Sequence, residues 1–205
     1  AARRMVKDLD PSLVVAVGGY ASGPMTMTAS MMGVPTVLME QNSVPGMTNR
    51  WLGKVVDEAF LTYACSADEF PAGKVNVVGN PLRRSLVERA RAFSYRAPEQ
   101  GEKVSILVLG GSGGSLALNR DVPGALCALP EELQRTLEVT HQVGKQNGEI
   151  AREAYEAFGG EANVVEFIED MPEVYERTHL MICRAGATTI AEVLGYGIPA
   201  IYIPF

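Results

Sequence analysis

Apolar runs of four to six residues recur along the chain, and stretches of helical character separate most of them. In the first part these runs occupy residues 13–17, 34–38, 59–62 and 75–78. A second set occupies residues 104–109, 137–142, 164–168, 179–183 and 198–203. Continuous apolar strands joined by helices are typical of parallel sheets that are covered on both faces. We therefore predict an α/β protein with two Rossmann-like domains, each built on a parallel sheet.

Helix signals lie between these runs. Ser22 is a potential N-cap, Pro24 fits the first turn of the helix that follows, and Gly33 suits its end. Residues 45–56 form a second predicted helix. Farther along, Thr189 and Glu192 have the spacing of a capping box at the start of another helix.

The character of the chain changes near residue 83. Residues 83–103 are rich in charge and are predicted to form a helix followed by a loop. We place the domain boundary at the start of this segment, so residues 1–82 form one domain and residues 83–205 the other. The chain lacks an initial Met and ends within an apolar run. We therefore expect both termini to be cuts within a longer protein, and both domains to be incomplete.

Composition and charge narrow the classes of function. Apolar residues make up 47% of the 205 residues and charged residues 20%, which is enough apolar material for a core. The net charge of -6 and the absence of a dense Lys/Arg cluster argue against a nucleic-acid partner. The three cysteines lack zinc-site spacing. No apolar run reaches the roughly 18 residues that a membrane span requires.

A glycine-rich segment follows the run at 104–109. Four glycines surround Ser112 within residues 110–114, and a predicted helix begins after them. Glycine lets a backbone approach a ligand closely, and the free N–H groups of a helix N-terminus favour an anion. The dinucleotide pattern fails because Leu116 replaces its last glycine, and no Walker Gly-Lys-Ser/Thr follows. We predict a diphosphate loop of another kind, against the alternative of a tight turn that binds nothing.

Polar side chains follow other strands, at the edge where parallel sheets bind ligands. Glu40 and Asn42 come after the run at 34–38, and they could hold sugar hydroxyls or begin an Asx-type loop. Arg83 could bind a diphosphate bidentately, or it could be a solvated helix charge. Glu192 could accept hydrogen bonds from two ribose hydroxyls, or it could only complete the capping box.

Two aromatic side chains complete the set of candidates. Tyr20 follows Gly18 and Gly19 at an equivalent strand end. His141 lies within a predicted strand, where a lone histidine is more often structural than catalytic. No Ser-His-Asp set, metal cluster or close pair of acids stands out in the sequence. We therefore predict a binding site without a metal or another cofactor.

Six motifs together resemble a known family. In chain order they are residues 18–24 (Gly-Gly-Tyr-Ala-Ser-Gly-Pro), 40–42 (Glu-Gln-Asn), 79–83 (Gly-Asn-Pro-Leu-Arg), 110–112 (Gly-Gly-Ser), 167–171 (Phe-Ile-Glu-Asp-Met) and 183–188 (Cys-Arg-Ala-Gly-Ala-Thr). Over essentially its whole length the chain is similar to the MurG family of glycosyltransferase family 28. Members transfer N-acetylglucosamine (GlcNAc) from UDP-GlcNAc to lipid I and form lipid II in peptidoglycan synthesis. The resemblance implies a GT-B fold with the active site between two Rossmann-like domains.

The resemblance also implies roles for residues of the second domain, which would bind the UDP-GlcNAc donor. Arg83 and Ser112 would contact the diphosphate. The backbone of Ile168 would hold uracil, and Glu192 would hold the ribose. Thr188 belongs to the same motif region as Glu192 and is also implied to bind substrate.

For the acceptor side, the resemblance implies that residues 1–82 belong to a domain that meets lipid I and the cytoplasmic face of the cell membrane. Asn42 would contact the donor GlcNAc, with Glu40, Tyr20 and Asn119 nearby. The 4-hydroxyl of the lipid I muramyl sugar would attack C1 of GlcNAc with inversion, and UDP would leave. The candidate general base of the family would lie upstream of residue 1, so its identity is unknown.

The sequence departs from the family pattern at several points. A first glycine-rich loop and a glutamine-rich donor-binding segment would lie outside the two ends of the chain. Met39 stands where the family usually has His, and Gly113 where it usually has Gln. We therefore expect the 205-residue segment to be inactive by itself.

Other interpretations remain open from the sequence. An enzyme resembling UDP-GlcNAc 2-epimerases would share the two-domain fold, but it needs catalytic carboxylates and a His cluster that we cannot locate. A non-catalytic nucleotide-sugar-binding module is the alternative that is not an enzyme. A methionine stripe could belong to a membrane-facing patch, although such stripes are more often core. Its members are Met25, Met27, Met31 and Met32, with Trp51 as a weaker candidate.

Overall fold

The computed structural model describes residues 1–146 and 148–204. The chain divides into two compact units, Ala1–Pro81 and Leu82–Phe205. Each unit contains its own sheet, and every strand pair in both sheets is parallel. The prediction of an α/β protein with two parallel sheets is therefore confirmed.

Unit 1 contains a sheet of four strands in the order of the chain. The strands are β1 (Val14–Ala16), β2 (Thr36–Glu40), β3 (Glu58–Leu61) and β4 (Val75–Val77). The helices are α1 (Ala2–Leu9), α2 (Ser22–Met31), α3 (Met47–Leu52) and a 3₁₀ helix (Ala64–Glu69). Strand β2 alternates between buried and half-buried residues, with Thr36, Leu38 and Glu40 buried. Leu38 belongs to the apolar core of the unit, whereas Glu40 ends the strand as a buried carboxylate.

Unit 2 contains a sheet of five strands in the order β7-β6-β5-β8-β9. The strands are β5 (Val104–Leu109), β6 (Leu137–Gln142), β7 (Glu161–Val165), β8 (Leu180–Arg184) and β9 (Ala200–Ile203). The helices are α4 (Arg84–Ala92), α5 (Leu116–Cys127), α6 (Glu131–Gln134), α7 (Gly148–Tyr155), α8 (Met171–Arg177) and α9 (Ala187–Tyr196). The strand order reverses between β5 and β8. Doubly wound sheets bind ligands at the carboxyl ends of the strands at such a reversal.

The central strand β5 separates two apolar cores. Ile106 and Val108 pack in one cluster of buried side chains, whereas Leu107 and Leu109 pack in another. Successive side chains of a strand point to opposite faces of the sheet, so the two clusters lie on its two faces. The continuous apolar run at 104–109 is thus explained by burial on both sides.

The predicted strands agree best with the structure in the centre of the second sheet. The runs at 104–109 and 137–142 coincide with β5 and β6. The predicted strand at 164–168 is wrong in position, because β7 spans Glu161–Val165 and ends before the segment that follows it. The predicted helix at 45–56 is shortened to Met47–Leu52.

Two predicted helix starts are wrong. Ala21, rather than Ser22, is the N-cap of α2, and the Ser22 hydroxyl donates a hydrogen bond to the carbonyl of Gly19 at 2.8 Å. Helix α9 begins at Ala187 with Gly186 as its N-cap, so Thr189 lies inside the helix and the capping box does not form. The capping-box spacing predicted the wrong start for α9, because the helix begins two residues before Thr189.

The methionine stripe does not enter the core of unit 1. Helix α2 packs inward through Thr26 and Ala29, which are buried. None of the four methionines of the stripe is buried, and Met31 is 82% exposed. Among the described residues, no helix combines the length and the apolar character needed to cross a membrane.

Candidate functional site

The strand-order reversal of unit 2 opens onto a cavity of about 570 Å³. Five residues that the family resemblance implies as contacts of the nucleotide donor line this cavity. They are Arg83, Ser112, Ile168, Thr188 and Glu192. These residues come from the segments that follow β5, β7 and β8 and from the start of α4. The fold therefore gathers side chains that lie up to 109 positions apart in the sequence.

The glycine-rich loop packs directly on the backbone of the loop after β6. Gly114 has a φ of 76°, and a Cβ built on it would lie 2.7 Å from the carbonyl carbon of Val143 and closer still to its oxygen. Gly144 has a φ of 77°, and its Cβ would lie 2.7 Å from the nitrogen of Gly114. Contact this close leaves no room for side chains. The two glycines thus fix how far the loop stands from β6.

The same loop leaves space at Gly113. A Cβ built on Gly113 would have no heavy atom within 4 Å, and its φ lies outside the left-handed region. Ser112 beside it is exposed and lines the cavity. Helix α5 begins just beyond, with the Ser115 hydroxyl accepting a hydrogen bond from the Leu118 N–H at 3.5 Å. The position where the family pattern has Gln is therefore open to a side chain.

Gln142 connects the glycine-rich loop to the segment after β7. Its side-chain nitrogen donates to the carbonyl of Gly111 at 3.0 Å, and its side-chain oxygen accepts from the Ile168 N–H at 2.9 Å. Only 2% of Gln142 is exposed, although it lines the cavity. The N–H of Ile168 is therefore already engaged within the protein. Gln142 is not among the site residues predicted from the sequence, where its signal is a polar residue at the end of a buried strand.

Glu192 is the sixth of the ten residues of α9, and it lines the cavity rather than capping the start of its own helix. The hydroxyl of Tyr175 in α8 donates to Oε2 of Glu192 at 2.7 Å. Tyr175 is fully buried, and burial is the largest cause that raises the pKa of its hydroxyl above the ordinary value. The phenol therefore stays protonated and acts as a donor. The carboxylate is held by a buried partner while it lines the cavity.

Two arginines of the α4 region line the cavity and differ in their partners. Arg89 is bound to both carboxylate oxygens of Glu176 and lies 3.2 Å from Oδ1 of Asp170. Hydrogen bonding to Glu176 is the main cause that raises the pKa of the Arg89 guanidinium. Arg83 is exposed, and it forms no salt bridge with any residue that the structure describes. Arg83 is therefore the better placed of the two to bind an anion.

A second, smaller cavity of about 260 Å³ lies in unit 1. Its lining includes Tyr20, Glu40 and Asn42. These are the three residues of unit 1 that the family resemblance implies at or near the donor sugar. Tyr20 is 92% exposed and Asn42 is exposed as well. The structure thus brings these three residues together at the carboxyl ends of β1 and β2.

Glu40 differs from its neighbours because it is buried, with 1% of its surface exposed. Its Oε1 accepts from the backbone N–H and the side chain of Asn42 at 2.9 and 3.0 Å. Its Oε2 accepts from the Gly46 N–H at 3.2 Å and from the Asn49 side chain at 2.8 Å. Both carboxylate oxygens are thus engaged in ordering the loop after β2, and the role of Glu40 beside the sugar stays a prediction. Asn42 is positioned by this network.

Asn119 is not available at the cavity surface. It lies in the first turn of α5 with 1% exposed, and its side-chain nitrogen donates to the carbonyl of Val143 at 3.0 Å. The implied position of Asn119 near the sugar stays a prediction. Its visible role is to tie the start of α5 to the loop after β6.

His141 has the surroundings of a structural residue. It is fully buried in β6, and its Nδ1 lies 3.2 Å from the Tyr155 hydroxyl. Burial lowers the pKa of His141 to about 4, so the ring is neutral at physiological pH. The favoured prediction of a structural histidine agrees with this environment. Within the part of the chain that the structure describes, no group of three or more His, Cys, Asp or Glu residues could hold a metal ion.

Two protein-family models match the chain. Residues 1–61 match the glycosyltransferase family 28 N-terminal domain, and residues 105–205 match the glycosyltransferase family 28 C-terminal domain. The two matches fall in units 1 and 2 respectively. They carry the same family name in the order that the resemblance implies.

Curated relatives carry a single enzyme name. A protein from Syntrophus aciditrophicus (strain SB) is 44% identical over 202 residues, which cover 98% of this chain and 55% of the relative. A protein from Geobacter sulfurreducens is 43% identical over 204 residues, which cover 99% of this chain and 55% of the relative. Both are named UDP-N-acetylglucosamine--N-acetylmuramyl-(pentapeptide) pyrophosphoryl-undecaprenol N-acetylglucosamine transferase. The chain thus spans about half the length of the curated relatives it matches.

Solved structures agree with this family and with the fold. The crystal structure of Acinetobacter baumannii MurG aligns with a TM-score of 0.73 at 32% identity, over 100% of this chain and 56% of that chain. A putative UDP-N-acetylglucosamine 2-epimerase from Listeria monocytogenes aligns with a TM-score of 0.69 at 14% identity, over 98% of this chain and 59% of that chain. The second likeness shows a shared fold alone.

Proposed function

The chain belongs to glycosyltransferase family 28, and we propose that the whole protein transfers GlcNAc from UDP-GlcNAc to the 4-hydroxyl of the muramyl sugar in lipid I. The product is lipid II, a precursor of peptidoglycan. The observation that carries this proposal is the single cavity at the strand-order reversal, because it unites all five residues expected to bind the nucleotide. The shared name of the curated relatives supports the same activity.

In this proposal the cavity of unit 2 holds the UDP part of the donor. Ser112 and the backbone of the glycine-rich loop bind the diphosphate, and Arg83 contributes a guanidinium that can bind it bidentately. The carbonyl of Ile168 accepts a hydrogen bond from uracil. Glu192 accepts hydrogen bonds from the ribose hydroxyls, and Thr188 lines the wall beside it.

The chemistry is a displacement with inversion at C1 of GlcNAc. The acceptor hydroxyl loses its proton and forms the new bond to C1, while the bond from C1 to the diphosphate oxygen breaks. Negative charge then grows on the departing UDP. Arg83 and the N–H groups of the glycine-rich loop are positioned to stabilise that charge, which lowers the barrier. The general base is not assigned to any residue of this chain.

In the same proposal, the small cavity of unit 1 forms the sugar and acceptor side of the site. Asn42 contacts GlcNAc, and Tyr20 offers an exposed hydroxyl and ring to sugar or acceptor. Glu40 acts indirectly, since its four hydrogen bonds keep Asn42 and the loop after β2 in place.

We also propose that unit 1 contacts the cytoplasmic face of the cell membrane, where lipid I would be reached. Met31 in α2 and Met47 and Trp51 in α3 are 82%, 75% and 65% exposed. The ammonium of Lys54 lies 5.2 Å from the centre of the Trp51 ring. Exposed apolar side chains beside a basic group suit a peripheral contact with an anionic membrane surface.

The test is transfer of labelled GlcNAc by the full-length protein to a lipid I analogue. We expect labelled product from wild type and a large loss of kcat/KM in the Glu192→Ala variant. A folded full-length protein that binds UDP-GlcNAc but transfers nothing would refute the transferase assignment. Conversion of UDP-GlcNAc to another nucleotide sugar without any acceptor would instead identify an epimerase.

A further inference from the structure

The strongest unassigned feature of the cavity is the buried hydroxyl behind Glu192. Tyr175 is fully buried in α8, and its ring packs against that of Tyr196 with the centroids 5.1 Å apart. The Tyr175 hydroxyl donates to Oε2 of Glu192 at 2.7 Å. A residue of the core thus reaches a carboxylate that lines the cavity.

The direction of this hydrogen bond is fixed by chemistry. A carboxylate can only accept, and the raised pKa of Tyr175 keeps the phenol protonated. With Oε2 anchored, the remaining lone pairs of the carboxylate point in defined directions. A free glutamate side chain would lose rotamer freedom when it binds a ligand, and a partner that orders it beforehand removes that cost.

Other groups near Glu192 do not replace this partner. Arg89, a cation lining the same cavity, is bound by Glu176 and Asp170. Among the described residues, the salt bridges include none made by Glu192. The orientation of the carboxylate therefore depends on the Tyr175 hydroxyl.

We propose that Tyr175 is a positioning residue that orients the Glu192 carboxylate and so sets the selectivity of the cavity for a ribose diol. This inference rests on the proposed function, because it takes the ligand to be a uridine nucleotide. Tyr175 does not touch the ligand itself. Tyr175 therefore increases the binding affinity only of ligands that carry the 2′- and 3′-hydroxyl groups.

The test compares UDP with 2′,3′-dideoxy-UDP, measured by calorimetry on the full-length protein. We expect Tyr175→Phe to weaken UDP binding by roughly 10- to 100-fold, the order contributed by one hydrogen bond to a charged group. The affinity for 2′,3′-dideoxy-UDP should stay within about 2-fold of wild type, since that ligand has no hydroxyl for Glu192 to bind. Selectivity between the two ligands therefore collapses in the variant.

Tyr196→Phe is the matched control. Tyr196 is also buried and packs on Tyr175, and its hydroxyl has no hydrogen-bond partner among the described residues. We expect this control to leave both affinities unchanged. Equal losses for both ligands in Tyr175→Phe would show a merely structural role and overturn the proposal, as would an unchanged preference for UDP. If wild type binds neither ligand, the proposed nucleotide site itself fails, which is a different outcome from lost selectivity.

Discussion

The glycine-rich loop offers a pair of adjacent substitutions with opposite expected effects. Gly114→Ala places a Cβ 2.7 Å from the carbonyl carbon of Val143, in a residue whose φ is 76°. Gly113→Ala places a Cβ where no heavy atom lies within 4 Å, in a residue outside the left-handed region. Both changes add one methyl group to the same loop, so each controls for the other.

The expected magnitudes follow from these surroundings. Holding alanine in the left-handed region costs about 1–2 kcal/mol. Relief of the clash with Val143 requires the two loops to separate, and such overpacking typically costs about 1–3 kcal/mol more. Gly114→Ala should therefore lower the free energy of unfolding by about 2–5 kcal/mol. Gly113→Ala should be neutral or should stabilise by up to about 1 kcal/mol, because it reduces the entropy of the unfolded chain.

The assay is urea unfolding of the full-length protein together with UDP binding by calorimetry. Ser112 belongs to the loop that Gly114→Ala displaces. We therefore expect this substitution to lower the affinity for UDP by roughly 10-fold or more. Gly113→Ala should keep UDP affinity within about 2-fold. Equal stability and equal affinity in the two variants would refute the close backbone contact between Gly114 and Val143.

Three further predictions concern buried polar groups. Glu40→Gln turns one acceptor oxygen into an NH₂ group that faces two donors. The free energy of unfolding, followed by the fluorescence of Trp51, should fall by about 2–4 kcal/mol; an unchanged midpoint would contradict the network. His141 has a folded pKa of about 4 against an ordinary 6.5, so only the unfolded chain takes up a proton as pH falls through that window. Stability should drop by about 3 kcal/mol between pH 6.5 and 4, and in His141→Gln this contribution to the pH dependence should vanish. Gln142→Met breaks the link from Gly111 to Ile168 and should weaken UDP by roughly 10-fold in calorimetry; wild-type affinity would show that Gln142 does not position the site.

The central strands could be predicted from the sequence because burial on both faces demands a continuous apolar run. Strand β5 shows this most clearly, since its alternate residues enter two separate cores. Strand β7 lies at an edge of the sheet, and its first three residues, Glu161 to Asn163, are exposed. The apolar signal there begins only at Val164 and continues into the segment with Ile168. That displacement explains the misplaced prediction at 164–168.

The sequence could predict in outline which residues come together in the site, because residues that follow parallel strands meet at one edge of the sheet. The partners of individual side chains could not. Glu192 and Thr189 have capping-box spacing, yet the carboxylate binds Tyr175, which lies 17 positions earlier in another helix. Gln142 and Glu40 are fixed by contacts to several separate loop segments. Such contacts depend on how the loops pack, which no local pattern records.

The most direct measurement is a crystal structure of the full-length protein with UDP-GlcNAc. We expect the diphosphate over the glycine-rich loop beside Ser112 and Arg83, uracil at the carbonyl of Ile168, and the ribose diol on Glu192. A nucleotide bound away from this cavity would contradict the central claim, as would one whose ribose faces away from Glu192.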